Sequence, residues 1–338
     1  MPYGGTPRSL CTFVRLGGWL STELLIRRGQ QVDRSQGATG PASQCGRTSR
    51  RRSVKAALYV VAFACLLFGV AALVALVGRQ RFRRRVTTDV ATLFSDAGAS
   101  VGSDQLNGRW DALPEPVRRY LRYAIREGAP AIRTARLKHD GLFRTKPNQR
   151  WFRIEGEQYF TVARPGFVWN ASIRPAPFLW IEARDRLVAG RGNMLVKLVS
   201  TVPIADAGGA EIDQGASLRW LAECAWFPYA YVGTQVEWEP IDARSVRATL
   251  RHDGLPVSAV LEIDDDGKLA QLRAERYRDV GGGKALLTPW TGRYGDYREF
   301  NGFRVPSSVE VTWELEEGPF SYARFRLTGL EYNVADRF

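Results

Sequence analysis

The sequence feature that most constrains this fold is a run of twenty-two uncharged residues at positions 56–77. The run contains five leucines, five valines and two phenylalanines. At about 1.5 Å per residue, a helix of this length spans roughly 33 Å, which matches a hydrocarbon core about 30 Å thick. A buried core helix is the alternative, but such helices normally keep a polar face. The run therefore predicts one transmembrane helix, over residues 54–78.

The net charge of +13 is concentrated around this run. Residues 1–100 hold fifteen lysines and arginines against four acidic residues, whereas residues 101–338 hold thirty-three against thirty-one. Arginines beside a membrane segment pair with lipid phosphates, and a nearly neutral domain has no excess charge for following a nucleic-acid backbone. We therefore expect the lipid bilayer as a partner, and no nucleic acid.

Composition divides the chain into four segments. We predict a disordered basic extension at residues 1–53, the transmembrane helix at 54–78, a helical juxtamembrane linker at 79–108 and a β-rich domain at 109–338. Five basic residues flank the apolar run on each side, so the positive-inside rule selects no orientation. A translation start near residue 54 would favour a cytoplasmic domain. We expect a single-pass protein of the cell membrane with its β-rich domain outside the cytoplasm.

After Pro130 the apolar period changes from that of a helix to that of a strand. Apolar residues alternate at 167–173, 257–263 and 309–315. Turn signals lie between such runs: Asp140-Gly141, Asp253-Gly254, Asp266-Gly267 and Glu317-Gly318-Pro319. Tight turns join antiparallel strands, and about ten to twelve strands make an open sheet that twists and curls.

Two helices accompany the strands. The first follows Pro114 and Pro116, where an apolar stripe has helical spacing. The second spans residues 213–227, with Asp213 as its cap and Pro228 as its stop. A helix between strands of one sheet has a natural resting place on the concave face. The predicted fold is mainly β with α (α+β): a large curled antiparallel sheet or half-barrel with a helix across its concave face, preceded by one transmembrane helix.

No motif assigns a catalytic chemistry to this sequence. The two histidines, His139 and His252, lie in repeated segments L-K-H-D-G-L and L-R-H-D-G-L, which are typical of hairpin turns. The four cysteines are scattered and lack the spacing of a zinc site. We therefore expect no metal and no cofactor, and we assign no catalytic residue.

Candidate ligand-binding residues come from the second helix and from the large rings of the sheet. Arg219 and Glu223 are four residues apart and could meet the polar end of a ligand, although a surface ion pair has the same spacing. Tryptophans either fill a wide curved sheet or line an apolar pocket. The candidates are Arg219, Glu223, Trp220, Trp226, Arg276, Trp290, Trp313 and Tyr322.

Several motifs resemble a bacterial family of uncharacterised proteins that have an N-terminal anchor and one β-rich domain. They are L-P-E-P-V-R-R-Y-L from residue 113, L-R-W-L-A-E-C-A-W-F-P from residue 218, P-W-T-G from residue 289, G-F-R-V-P from residue 302 and W-E-L-E-E-G-P-F-S-Y from residue 313. The family pattern prefers Tyr where this chain has Trp220. The resemblance implies architecture and not chemistry. The layout is also similar to the curled half-barrel of lipoprotein-carrier proteins, an analogy of fold only.

Three functions are compatible with this architecture. The first is a membrane-anchored binding module, in which the curled sheet holds an apolar or amphipathic, lipid-like ligand beneath the second helix. The second is a hydrolase-like enzyme that uses Glu223 with Arg219. The third is a structural or partner-binding protein that has a filled core and no pocket.

Overall fold

The computed structural model describes residues 46–97, 109–253 and 256–338. These residues divide between Val77 and Gly78 into two compact units. Most of the predicted extension, residues 1–45, lies outside the described residues, whereas residues 46–53 belong to a helix. Helix α1 is Gly46–Ser95. Within it, Lys55–Ser95 is long and apolar enough to cross a bilayer, with a mean hydropathy of 2.9 in its most apolar window.

Thirteen strands form the sheet, one more than the upper end of the predicted range. They are β1 (Thr134–Phe143), β2 (Phe152–Thr161), β3 (Gly166–Ala176), β4 (Leu179–Val188), β5 (Arg191–Leu198), β6 (Val202–Gly208), β7 (Val236–Pro240), β8 (Ser245–Leu250), β9 (Val257–Ile263), β10 (Leu269–Gly281), β11 (Lys284–Phe300), β12 (Phe303–Leu315) and β13 (Gly318–Tyr332). Every pairing is antiparallel, in the order β6-β5-β4-β3-β2-β1-β13-β12-β11-β10-β9-β8-β7. The prediction of one large antiparallel sheet is confirmed.

One predicted turn is wrong. Asp140-Gly141 lies inside β1, where Gly141 pairs with Ile154 of β2 and with Phe325 of β13. An Asp-Gly pair permits a turn but does not impose one, and here both neighbouring strands continue past it. The turns at Asp266-Gly267 and before Gly318 are confirmed, since they join β9 to β10 and β12 to β13.

Two further helices lie in the unit that contains the sheet. Helix α2, Glu115–Ala124, follows Pro114 as predicted and buries the apolar stripe Val117, Tyr120, Leu121 and Ala124. Helix α3 is Ala210–Glu223, so it both starts and ends earlier than the predicted residues 213–227. Asp213 is not its cap, because it lies within the first turn; its carboxylate instead accepts a hydrogen bond from the backbone N–H of Gly192, 2.6 Å away. Two 3-10 turns, Cys224–Trp226 and Pro228–Val232, follow.

Helix α3 lies in the hollow of the sheet. It contacts β4, β5 and β6 near one edge of the sheet and β8, β9 and β10 near the other edge. Strands so far apart in the sheet order reach one short helix only because the sheet curls around it. Irregular register within several strand pairs, such as Lys138/His139 in β1, adds to the twist. The predicted helix across the concave face is therefore confirmed, and the sheet remains unclosed.

Part of the convex face is covered by the last part of α1. Its buried side chains Phe82, Val86, Val90 and Leu93 form an apolar cluster with Tyr159, Val168 and Leu195 of the sheet. Asp89 lies among them and accepts hydrogen bonds from Arg184 and Arg186, at 3.0 and 2.8 Å. The segment after Gly78 is thus packed on the sheet along one side of the helix.

Candidate ligand-binding site

The centre of the concave face is filled by aromatic side chains. Trp220 is fully buried, and its ring centroid lies 5.8 Å from that of Phe227, which lies 4.6 Å from that of Phe160. The indole N–H groups of Trp220 and Trp226 donate to the carbonyl oxygens of Thr161 and Pro306. Both tryptophans are therefore core residues, and their rings pack with those of Phe160 and Phe227 at the centre of the concave face.

Arg219 and Glu223 form part of a buried polar cluster rather than a surface ion pair. Their side chains are 14% and 13% exposed. The guanidinium of Arg219 donates to Glu223, at 2.9 Å, and to two further acceptors, Asp185 Oδ2 at 3.0 Å and Gln158 Oε1 at 3.1 Å. The amide of Gln158 donates to the second oxygen of Glu223, at 2.6 Å. Each member of the cluster thus has a partner within the protein.

Burial and charge attraction shift the pKa values of Glu223 and Arg219 in opposite directions. Burial raises the pKa of Glu223 above its usual range, although the attraction of Arg219 acts in the other direction. For Arg219, burial lowers the pKa, but the carboxylates of Glu223 and Asp185 outweigh it and the net direction is upward. The guanidinium also lies 5.0 Å from the ring of Phe167 and 4.8 Å from that of Trp169. Because Glu223 is held by two donors, this geometry does not favour the hydrolase-like alternative.

The remaining four candidates lie together in a second cluster, which we call the Arg276 site: Arg276, Trp290, Trp313 and Tyr322. The guanidinium carbon of Arg276 lies 5.2 Å from the ring centroid of Trp290 and 6.0 Å from that of Trp313. Trp290 donates its indole N–H to the hydroxyl of Tyr322, at 3.1 Å. Tyr322 stacks on Trp313 with centroids 5.9 Å apart.

Strand register produces this site. Trp290 of β11 pairs directly with Trp313 of β12, and Trp313 pairs with Phe320 of β13. Arg276 enters from β10, where the neighbouring Ala274 pairs with Trp290. On the other side lies Gly215 of α3, where an added Cβ would be only 3.3 Å from Arg276 Nε. Glycine at position 215 therefore lets the helix approach the guanidinium closely.

Within the part of the chain that the structure describes, the charge of Arg276 lacks a counterion. Among the described residues, no aspartate or glutamate lies within salt-bridge distance of its guanidinium, and its buried Nε has no acceptor. Its guanidinium donates a hydrogen bond to the Tyr322 hydroxyl, at 3.5 Å, the outer limit for such a bond. Arg276, Trp313 and Tyr322 are half-buried, so the site is open to solvent.

Family membership follows from the sequence of this domain. A model of a family of unknown function, DUF6544, matches residues 106–325. The chain belongs to this family. The match covers both clusters and confirms the resemblance indicated by the motifs. Membership of DUF6544 therefore assigns the protein to a family and does not assign it a reaction or a ligand.

Comparisons with other proteins show distant similarity only. A LolA superfamily protein from Nitrosomonas europaea aligns with 11% identity and a TM-score of 0.36, over 70% of this chain and 95% of its own. A domain assigned to an outer membrane lipoprotein-sorting protein from Vibrio parahaemolyticus aligns with 10% identity and a TM-score of 0.30, over 67% and 94%. A DUF1329 family protein from Desulfovibrio piger aligns with 12% identity and a TM-score of 0.34, over 68% of this chain and 93% of its own. No curated protein matches the sequence.

Sequence reasoning missed the partners of Arg219. Asp185 lies between the inward-facing residues Ala183 and Leu187 of β4, and Gln158 lies at an inward-facing position of β2. A charged or amide side chain that interrupts an apolar alternation is a signal of a buried polar partner, and it is visible in the sequence. The assignment of Asp185 to Arg219 needs the tertiary fold.

An open surface depression of about 360 Å³ lies away from these clusters. Its lining residues are Arg298, Glu299, Phe300, Arg326, Leu327 and Thr328. None of the predicted site residues contributes to it. The guanidinium of Arg326 is already engaged by the carboxylate of Asp140. The Arg276 site therefore has the stronger chemical case for a ligand.

Proposed function

We propose that this DUF6544 protein is a membrane-anchored module that binds an anionic amphipathic, lipid-like ligand at the Arg276 site. The long apolar helix supports the anchor, since its most apolar window has no buried residue. The proposal places the β-rich domain on the extracytoplasmic side of the membrane.

One observation carries the proposal: a half-buried guanidinium that lies over two tryptophan rings and, among the residues that the structure describes, has no carboxylate partner. A partly desolvated cation is unfavourable unless an anion or a set of acceptors compensates it. The oxygen atoms of a carboxylate or phosphate supply such acceptors, and guanidinium binds them in a paired geometry. The site is therefore suited to an anionic headgroup.

The apolar part of the ligand has a surface beside this charge. Trp313, Tyr322 and Phe143 present rings that are only half-buried in the sheet. At about 25 cal/mol per Å², covering roughly 150 Å² of apolar surface contributes about 4 kcal/mol. We place the ligand beside the first half of α3, near Gly215, because the rings beneath the helix fill the centre.

A second candidate function is favoured by that filled centre. A structural or partner-binding protein needs a rigid curled sheet and no ligand, and the packing of Trp220, Phe227 and Phe160 supplies rigidity. The two candidates differ at Arg276, since only ligand binding needs its charge.

Replacement Arg276→Gln is expected to weaken ligand binding by roughly 10- to 100-fold, because a charge-assisted hydrogen bond contributes about 1.5–3 kcal/mol. The probe is a fatty acid that carries a dansyl group, titrated into the full chain held in amphipol. Energy transfer from the tryptophans reports binding.

The matched control is Arg273→Gln, which changes an exposed arginine of the same strand. It should leave the affinity within about twofold of the original, because exposed ion pairs contribute little. Equal affinities for both variants and the original chain, or no binding at all, would favour the structural alternative.

A further inference from the structure

Two neighbouring hairpins expose apolar side chains at their tips. Phe178, between β3 and β4, is 96% exposed, and the adjacent Leu179 is 37% exposed. Val202, at the β5–β6 hairpin, is 58% exposed. We call these three residues the tip patch. Soluble surfaces rarely cluster large apolar side chains in this way unless they contact something.

The conformation of Phe178 is unusual for such a residue. Its φ is 60°, a region that non-glycine residues rarely adopt. Pro177 lies in the same turn, and Pro175 lies two residues before it. Backbone strain of this kind persists where the surroundings hold it, and it commonly marks a functional position. Here the turn presents the ring to solvent.

Hydrogen bonds join the two hairpins into one surface. The indole N–H of Trp180 donates to Ser200 Oγ, at 2.8 Å. The backbone N–H of Val199 donates to the carbonyl oxygen of Trp180, at 2.9 Å. The tips of both hairpins are therefore hydrogen-bonded to each other at one end of their strands.

The residues that directly follow the apolar run lie beside these two hairpins. Gly78 directly follows Val77, the last residue of the run. A Cβ on Gly78 would lie 2.9 Å from the carbonyl oxygen of Ser200, so only glycine permits this close approach. Arg79 lies 3.6 Å from Glu182 of β4. Gly78, the first residue after the apolar run, is thus in contact with the hairpin that carries Val202.

We propose that the tip patch docks into the surface of the bilayer that holds the apolar run, and this inference rests on the membrane anchoring in the proposed function. Because Gly78 directly follows the run and lies against Ser200, the hairpin tips lie beside the residue at which a membrane-spanning run would have ended. Exposed arginines at 79, 81, 83, 84 and 85 follow the run and complement anionic headgroups. Apolar rings and aliphatic chains beside such cations are typical of interfacial contacts.

The test measures lipid contact at single positions of the full chain in nanodiscs of phosphatidylcholine and phosphatidylglycerol. All four native cysteines are replaced by alanine, and one cysteine is introduced by Phe178→Cys, Val202→Cys or Ile241→Cys. Each is labelled with the fluorophore NBD. The nanodiscs contain phosphatidylcholine with a nitroxide near the glycerol end of its acyl chain. Ile241 is the matched control, because it is 47% exposed at the β7–β8 hairpin.

We expect nitroxide quenching at positions 178 and 202 to exceed that at position 241 by roughly twofold or more. A fourth protein keeps only Cys65, inside the apolar run, and reports the anchor itself. Quenching at Cys65 with no excess at 178 and 202 over 241 overturns the docking proposal and leaves the anchor intact. Absence of quenching at Cys65 and at the tips overturns both.

Discussion

Replacement of Arg219 by alanine is expected to lower the free energy of unfolding by about 3–5 kcal/mol, the usual cost of removing one partner from a buried ion pair. The guanidinium is the cation for two carboxylates, those of Asp185 and Glu223, which are 5% and 13% exposed. Without it, both carboxylates stay in a site from which water is largely excluded. Urea unfolding of the full chain in detergent, followed by circular dichroism, measures the loss.

A surface pair provides the control for this experiment. Arg247 and Glu239 lie 3.1 Å apart with side chains 47% and 70% exposed. Arg247→Ala should therefore cost less than about 1 kcal/mol. If the two variants lose the same stability, the cluster around Arg219 is not the buried network described here. Adding Glu223→Gln to Arg219→Ala should recover part of the loss, since it removes one unpaired charge.

The stability of the sheet is expected to fall as the pH drops from about 6.5 toward 4, and His139 is expected to be a main cause. Burial lowers the pKa of His139 from 6.5 to about 4, and the charge of Arg219 acts in the same direction. Its Nε2 accepts the indole N–H of Trp169, at 2.8 Å, which requires the neutral ring. Among the described residues, its buried Nδ1 has no partner, and Phe325 covers the ring at 4.7 Å.

The pKa values of His139 in the folded and unfolded chain determine how the free energy of unfolding changes with pH. Above pH 6.5 the histidine is neutral in both states, so the folded protein has no penalty. Below that pH the unfolded chain binds a proton that the folded protein excludes until about pH 4, so stability declines. At about 1.4 kcal/mol per pKa unit, the loss across this interval is roughly 3 kcal/mol.

Replacement His139→Gln keeps an acceptor for Trp169 and removes the titration. The difference in unfolding free energy between the original chain and this variant should therefore shift in favour of the variant by roughly 3 kcal/mol between neutral pH and pH of about 4. Carboxylates that titrate in the same interval cancel in the comparison. A difference that stays constant with pH would mean that His139 binds a proton equally well in both states.

Much of this fold was predictable from local patterns. Alternating residues such as Phe167, Trp169 and Ala171 of β3 predicted strands, and tight turns required the antiparallel pairing. The turn predicted at Asp140-Gly141 was wrong, because the turn preference of this pair is weaker than the pairing of β1 with two long neighbouring strands. The start of α3 was misplaced because Asp213 has the chemistry of a cap but uses its carboxylate on Gly192.

The candidate site was only partly predictable. The spacing of Arg219 and Glu223 predicted their ion pair, but spacing on one helix does not indicate what covers that helix. Burial arises because the sheet curls and brings Asp185 and Gln158 to the same guanidinium. For the Arg276 site, hairpin register places Trp290 beside Trp313. Whether a carboxylate lies near Arg276 depends on all the elements that surround it, so the sequence does not predict that, among the described residues, its buried Nε has no acceptor.

The most direct test of the account is to locate a lipid on the protein by photo-crosslinking. The full chain in nanodiscs is irradiated with phosphatidic acid that carries a diazirine in its acyl chain, and modified peptides are identified by mass spectrometry. We predict modification in the segment 313–322, in addition to residues 56–77, with loss of the former in Arg276→Gln and retention in Arg273→Gln. Modification confined to residues 56–77 and the tip patch would contradict ligand binding in the curled sheet.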